Sequence, residues 1–322
     1  MSYRILVPQA IASEGVAYLE ERGYEVVNGS GAAEEDLIRD VVDCDGILLR
    51  TAPVTRAVLE AGKQLKIVAR HGAGYNNVDL KAAEELGIWV TNAPDSTTKT
   101  VGEFVLGALL ASAKRTFLMN KKMAEGEFFY KNNHKGVDVR GRTLSVIGFG
   151  RIGREVAEKA HAALDMKILA YDPYAKPESC PEYARLVDWE TAFREGDFVT
   201  LHMPLTADNR GFIGAREFAM MKPTAHFINC ARGEVVDEPA LVEALKTGQI
   251  AAAFLDVLTE EPPKPDNPLL HMDNVSLTPH MASNTEECMA LMATQAASQI
   301  HRVLSGEKPD WPVNHPEWTR MA

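Results

Sequence analysis

Apolar residues along this chain fall into two kinds of run. Short, nearly continuous apolar segments recur at 4–8 (RILVP), 46–50 (GILLR), 66–70 (KIVAR) and 88–92 (IWVTN), and they read as buried strands. Between them, GVAYLEERG (15–23), EEDLIRDVVD and DLKAAEELG carry apolar residues at helical spacing. Such alternation predicts parallel strands joined by crossover helices. From Thr97 to about Glu125 the helical pattern is unbroken and predicts one long helix. Its Gly102 and Gly107 leave room for another backbone, and it reads either as a core helix or as a dimer-contact helix. A second alternating series starts at Thr143, with strands at 144–150, 167–172, 198–204, 225–230, 251–257 and 275–279. These six strands predict one doubly wound sheet. A last apolar helix runs from Asn284 to about Leu304, followed by a polar tail containing proline.

At 322 residues the chain is long enough for two domains, and 46% apolar with 25% charged residues fits a globular rather than a disordered protein, which the strand–helix alternation makes α/β. No apolar run reaches the ~18 residues a membrane span needs. The start MSYRILVPQA lacks the parts of a signal peptide, which predicts a cytoplasmic protein. Cys44, Cys180, Cys230 and Cys288 are widely spaced and suggest neither a zinc site nor a disulfide framework. The formal net charge of −11 argues against nucleic acid or an anionic membrane as partner. A small anionic substrate stays open, because a local arginine can reverse the field inside a cleft.

Gly148-Phe149-Gly150-Arg151-Ile152-Gly153 follows an apolar strand and opens a helix, the context a dinucleotide fingerprint requires. The first glycine permits the tight turn and the second lets backbone N–H groups approach a pyrophosphate. The third lets the helix pack on the strand with its N-terminus toward the phosphates. Asp172 ends the next strand, about 20 residues on, where an acid accepts hydrogen bonds from a ribose and repels a 2′-phosphate. This predicts NAD rather than NADP. The alternative for Asp172 is a turn residue before Pro173.

Ligands of such sheets sit at the carboxyl ends of the strands. Those ends read His202-Met203-Pro204, then Asn229 to Gly233, then the segment from Leu255 to Pro263, then Thr278-Pro279-His280. Arg232, Glu261 and His280 stand out. An imidazole is a natural proton carrier for alcohol–ketone chemistry. A carboxylate on its other ring nitrogen orients it and favours its charged form. A guanidinium can clamp a carboxylate with two parallel hydrogen bonds. Singly, each has a plainer reading: a surface histidine, a solvated acid, an interdomain ion pair. All three at successive strand ends point to a site.

With these motifs, together with GAGYNNVDL (72–80), TNAP (91–94), NCARGEVVDEPALVEAL (229–245), LDVLTEEPP (255–263) and TPHMAS (278–283), the chain resembles the D-isomer-specific 2-hydroxyacid dehydrogenases over nearly its whole length. The resemblance implies a Rossmann-type NAD-binding domain at 98–285, inserted in a discontinuous flavodoxin-like substrate domain at 1–97 plus 286–322. It implies His280 as acid/base, Glu261 as its tuner and Arg232 as the group that binds the substrate carboxylate and carbonyl. Asp256 is implied to contact the nicotinamide carboxamide. Cys230, Ala231, Ala282 and Ser283 would join His202, Met203 and Pro204 as cofactor neighbours. Ala73 and Gly74 look like a backbone cradle for the substrate carboxylate, and a homodimer is the usual assembly.

LLRTAPVT (48–55) looks most like the phosphoglycerate dehydrogenase branch, in a short form without a regulatory domain, with Arg50 facing the anionic substrate. A surface strand-end arginine is the alternative for Arg50. Phe128 stands where that branch often has tryptophan, Ala282 where many members have glycine, and Ser145 where a small glycine is common. The expected activity is therefore NAD-dependent oxidation or reduction of a small 2-hydroxy or 2-keto acid, 3-phosphoglycerate among them. Glyoxylate or hydroxypyruvate reduction is the alternative. Corepressors of the same fold, which bind NAD(H) and keep the same three residues, form a rival class. A Rossmann methyltransferase leaves the three strand-end residues unexplained.

Overall fold

The computed structural model describes residues 2–317, and within them the chain divides at Thr97/Thr98 and again at Ala282/Ser283 into two compact units. The first unit begins with β1 (Arg4–Val7), α1 (Ser13–Glu20), β2 (Glu25–Asn28), α2 (Glu34–Asp40), β3 (Gly46–Leu49), α3 (Arg56–Ala61), β4 (Ile67–Arg70), α4 (Leu80–Glu85) and β5 (Trp89–Thr91). These strands form a parallel sheet in the order β2-β1-β3-β4-β5. Strand β3 is buried at every position, so GILL reads as an unbroken apolar run. Strand β2 was not expected from the sequence. It lies on the edge, half-exposed, and its two valines sit between polar residues.

The second unit runs through α5 (Thr98–Lys114), α6 (Thr116–Ala124), β6 (Thr143–Ile147), α7 (Arg151–Leu164), β7 (Lys167–Tyr171), β8 (Ala184–Leu186), α8 (Trp189–Glu195), β9 (Phe198–Leu201), α9 (Ala215–Met220), β10 (His226–Asn229), α10 (Glu238–Lys246), β11 (Ala252–Leu255) and β12 (Val275–Leu277). Its sheet is parallel in the order β12-β11-β10-β9-β6-β7-β8. That is seven strands rather than the six expected, because the three-residue β8, ARL, is too short and mixed to register as an apolar run. Alternate residues of each central strand feed two cores. Val146 and Ile228 pack with Val105, Leu109 and Val156 of α5 and α7. Ile147 and Phe227 pack with Phe193, Phe218 and Leu241 of α8, α9 and α10.

The long helix expected from Thr97 is two helices. Arg115 takes φ 55° and ends α5 in the left-handed region before α6 begins. The apolar spacing continues across this break, so the pattern does not reveal it. Gly102 does bring α5 close to α7, since a Cβ there would lie 2.7 Å from Glu155 Cγ, whereas Gly107 faces open space.

The chain returns to the first unit as α11 (Glu286–Leu304), whose N-terminus is capped by the Thr285 hydroxyl. Ala296, Ile300 and Val303 of this helix pack on Ile5, Leu48 and Ile67 of that unit's sheet. The tail after it is partly structural. Asn314 accepts the Val90 N–H at 2.8 Å and donates to the Ile88 carbonyl at 2.9 Å, covering the open edge of β5. Among the described residues, no helix is long and apolar enough to cross a membrane.

Candidate active site

Because every strand of the second unit's sheet is parallel, the segments after β6, β7, β9, β10, β11 and β12 leave from one edge. The order reverses direction between β6 and β9, which makes the crevice beside that pair the natural ligand position. The glycine loop occupies it. Gly148 has φ 94°, and a Cβ there would lie 2.7 Å from the His202 carbonyl carbon, so the loop packs directly on the 202–203 backbone. A Cβ on Gly153 would lie 2.1 Å from the Gly148 oxygen, so α7 can start only there with glycine. Gly150 faces open space. The result is a backbone cradle at the N-terminus of a 14-residue helix, closed from below and open above, a fit for a pyrophosphate.

Arg151 and Ile152 form the first turn of α7. Asp172 sits beside the same loop. Its Oδ2 accepts the Phe149 N–H at 2.9 Å and its Oδ1 accepts the Tyr174 N–H at 2.8 Å. It therefore braces the loop as well as standing at the strand end. His202 follows β9 with its Nε2 3.1 Å from the Thr200 hydroxyl, and burial pushes its pKa down to about 3, so the ring is neutral. Met203 and Pro204 continue along that edge.

After β10 the chain folds back on itself. Asn229 is buried, donates to the Arg232 carbonyl at 2.9 Å and accepts the Ala231 N–H at 2.9 Å. Gly233 then wedges against the neighbouring segment, where a Cβ would lie 2.0 Å from the Leu258 oxygen. That close approach sets Arg232 beside the stretch carrying Glu261. Arg232 Nη1 donates to the Ala231 carbonyl at 2.6 Å. Burial lowers its pKa, and the charges of Glu234 and Glu261 act against that drop. Cys230, just before, is a free thiol whose pKa burial raises well above the ordinary value, which makes it packing rather than a nucleophile.

Glu261 divides its two oxygens between two donors. Oε1 accepts the Leu258 N–H at 3.0 Å and Oε2 accepts from His280 Nδ1 at 2.7 Å. Partial burial alone would raise the carboxyl pKa. These two hydrogen bonds, with the charges of His280 and Arg232, more than offset it and leave the pKa below the usual value. A carboxylate on Nδ1 assigns the proton to that nitrogen and leaves Nε2 to serve as the working atom. The backbone of His280 is held at φ 51°, in the left-handed region. Arg232, Glu234, Glu261 and His280 line one cavity of about 260 Å³ with Gly233, Val257, Leu258 and Thr259.

Asp256 is 1% exposed. Its Oδ1 accepts from the Thr278 hydroxyl at 2.6 Å and the Met281 N–H at 2.9 Å, and its Oδ2 accepts the Ala282 N–H at 2.9 Å. The sequence reading aimed it at a nicotinamide carboxamide. In the structure its carboxylate holds the segment that bears His280. Ala282 lies buried on that segment, and Ser283 is the first residue beyond the boundary of the unit. Three supports escaped the sequence reading: Asn229, Thr278 and Glu238. The last receives the Thr259 N–H at 3.1 Å and the Asn267 amide at 2.7 Å. For Asn229 and Thr278 the available signal was a polar residue at or just beyond the last position of an apolar strand; Glu238, the first residue of α10, carried no such signal.

Arg50, Ala73 and Gly74 belong to the other unit, following β3 and β4. Arg50 Nη1 lies 3.4 Å from the Ala10 carbonyl. The segment with Ala73 and Gly74 is braced by Asn92, which donates to the Ala73 carbonyl at 2.7 Å, and by Gly72 at φ 130°.

A family model described as "D-isomer specific 2-hydroxyacid dehydrogenase, NAD binding domain" matches residues 106–282. The D-3-phosphoglycerate dehydrogenase of Methanocaldococcus jannaschii is 43% identical over 316 residues, which are 97% of this chain and 60% of that protein. The glyoxylate reductase of Korarchaeum cryptofilum is 38% identical over 322 residues, covering 98% of this chain and 96% of that protein. The crystal structure of D-lactate dehydrogenase with NAD+ from Lactobacillus jensenii superposes with a TM-score of 0.80 at 30% identity, covering 97% of this chain and all of that one (100%). The chain spans 60% and 59% of the length of the first two curated relatives that it matches.

Proposed function

Since the chain belongs to the D-isomer specific 2-hydroxyacid dehydrogenase family, we propose that it transfers hydride reversibly between NAD(H) and a small 2-hydroxy or 2-keto acid. The observation that carries this is the 2.7 Å contact between His280 Nδ1 and Glu261 Oε2 in the cavity that Arg232 also lines. Gly148, Gly150, Arg151, Ile152 and Gly153 would hold the pyrophosphate, and Asp172 the ribose hydroxyls. His202, Met203, Pro204, Cys230, Ala231, Asp256, Ala282 and Ser283 would border the rest of the cofactor. The bound nicotinamide supplies or takes up the hydride.

The residues of the chain do the rest. Arg232 clamps the C1 carboxylate with two hydrogen bonds and polarises the C2 carbonyl. His280 Nε2 gives a proton to the C2 oxygen in reduction and takes it back in oxidation. Glu261 keeps the ring oriented through Nδ1. Ala73 and Gly74 would cradle the substrate carboxylate, and Arg50 would add positive charge toward an anionic substrate.

The names of the relatives support two substrate types: 3-phosphoglycerate on one side, glyoxylate or hydroxypyruvate on the other. A homodimer through the second unit is part of this reading. Phe117, Met123, Phe128 and Phe129, the last 74% exposed, lie close together in sequence on that unit's surface. We place the protein in the cytoplasm, where its four free cysteines would stay reduced. NADH oxidation with a panel of 2-keto acids tests the proposal. Tight NADH binding without turnover on any of them would overturn it in favour of a binding protein.

A further inference from the structure

Arg232 is the one permanent cation among the described residues lining the catalytic cavity, and two carboxylates share that lining, Glu234 and Glu261. Glu261 is engaged by His280 and by the Leu258 N–H. Glu234 has no part in the chemistry described above, yet its place is firmly set. It lies in the short turn Gly233–Val235, directly after the glycine that wedges against Leu258. Its carbonyl accepts the Gly211 N–H at 2.8 Å.

The side chain has a cationic neighbour, Arg210, with Nη1 3.8 Å from Oε1, but that arginine is 62% exposed. A loose surface pair of this kind is worth little and is screened by salt, so it leaves most of the Glu234 charge standing. The charge also reaches Arg232, whose guanidinium feels Glu234 ahead of Glu261. One substrate carboxylate is matched by Arg232. Within this lining, a second negative group on the same substrate would meet Glu234.

We propose that Glu234 makes this cavity selective for 2-keto acids whose only negative charge is the C1 carboxylate, against those carrying a second anionic group. The proposal rests on the dehydrogenase reading and narrows its substrate class. At separations of about 8 Å and an effective dielectric between bulk water and a protein surface, one extra unit charge is disfavoured roughly three- to tenfold.

The experiment compares kcat/KM with NADH for hydroxypyruvate and for 3-phosphohydroxypyruvate in the wild type and in Glu234→Gln, Glu234→Asp and Arg210→Ala. Glu234→Gln should raise the phosphorylated-to-unphosphorylated ratio roughly three- to tenfold, and added salt should shrink that gain. Glu234→Asp, which keeps the charge, should keep the wild-type ratio. Arg210→Ala, which removes the partial compensation, should lower it. An active enzyme whose ratio is the same in Glu234→Gln as in the wild type overturns the role of Glu234 alone. A wild type inactive on every 2-keto acid removes the dehydrogenase reading and this proposal together.

Discussion

Asp256 holds His280 in place from beneath. Its backbone carbonyl accepts the His280 N–H at 2.8 Å, and its carboxylate binds Thr278, Met281 and Ala282 on either side of that residue. His280 therefore keeps a left-handed φ of 51° that an unsupported histidine seldom adopts. The strain is located where the proposed proton carrier must project, and Asp256 is what maintains it.

Replacing Asp256 by Ala strands two N–H groups and a hydroxyl that the carboxylate now satisfies. The loss should be about 2–4 kcal/mol of stability, from the desolvation of unpaired buried donors. Denaturation midpoints of the second unit measure this. Turnover should fall as well, because the imidazole loses its fixed orientation.

His280→Ala should lower kcat by roughly 10²–10⁴, the share that a positioned acid/base supplies, while NADH binding persists. Glu261→Gln keeps the shape but replaces the charged acceptor of the 2.7 Å contact, and should cost less, about 10- to 100-fold. Steady-state rates on the best keto acid, with NADH fluorescence titration alongside, separate the effects. A His280→Ala enzyme that turns over like the wild type would remove the mechanism.

Asp172 bears on cofactor choice. Asp172→Ser should reduce the preference for NADH over NADPH by about tenfold or more, since the carboxylate that repels a 2′-phosphate is gone. The same change frees the Phe149 and Tyr174 N–H groups, so the glycine loop should also loosen and KM for NADH should rise. The ratio of kcat/KM values for the two cofactors is the readout.

Three histidines are neutral in the folded state: His71 and His226, which are buried, and His202, which is half-buried. His71 and His226 have pKa values pushed down to about 4 by burial, and His202 to about 3, against an ordinary 6.5. Below pH 6.5 the unfolded chain takes up protons that the folded chain refuses. Stability therefore falls as pH drops from 6.5 towards 4, and above 6.5 these groups make no difference. For His226 the loss across that window is about 3 kcal/mol. Urea midpoints at pH 7, 5.5 and 4.5 should decline steadily, and His226→Gln should flatten part of the slope. An unchanged midpoint at pH 4.5 would show that these rings are not held neutral.

Most of what makes the candidate site was legible as sequence. Strands that are parallel and buried on both faces appear as apolar runs, and their carboxyl ends must share an edge. Gly148, Asp172, Arg232 and His280 could therefore be assigned to one edge from residue order alone. The periodicity did not reveal β2 and β8, which are edge strands with mixed faces, or the break at Arg115, which leaves the apolar spacing intact.

What the sequence determined by itself was local: backbone geometry at glycines, the faces of strands and helices, and the residue types at strand ends. Only the tertiary structure decided which groups satisfy one another. It engaged both carboxylate oxygens of Asp256 with backbone and hydroxyl donors from another strand end, turned Asn229 onto the Arg232 turn, split Glu261 between Leu258 and His280, and set Glu234 on the cavity wall. Those pairings are hydrogen bonds and charge contacts made across a fold. Their partners are chosen by the three-dimensional approach of segments, such as Gly233 against Leu258, which no spacing along the chain encodes.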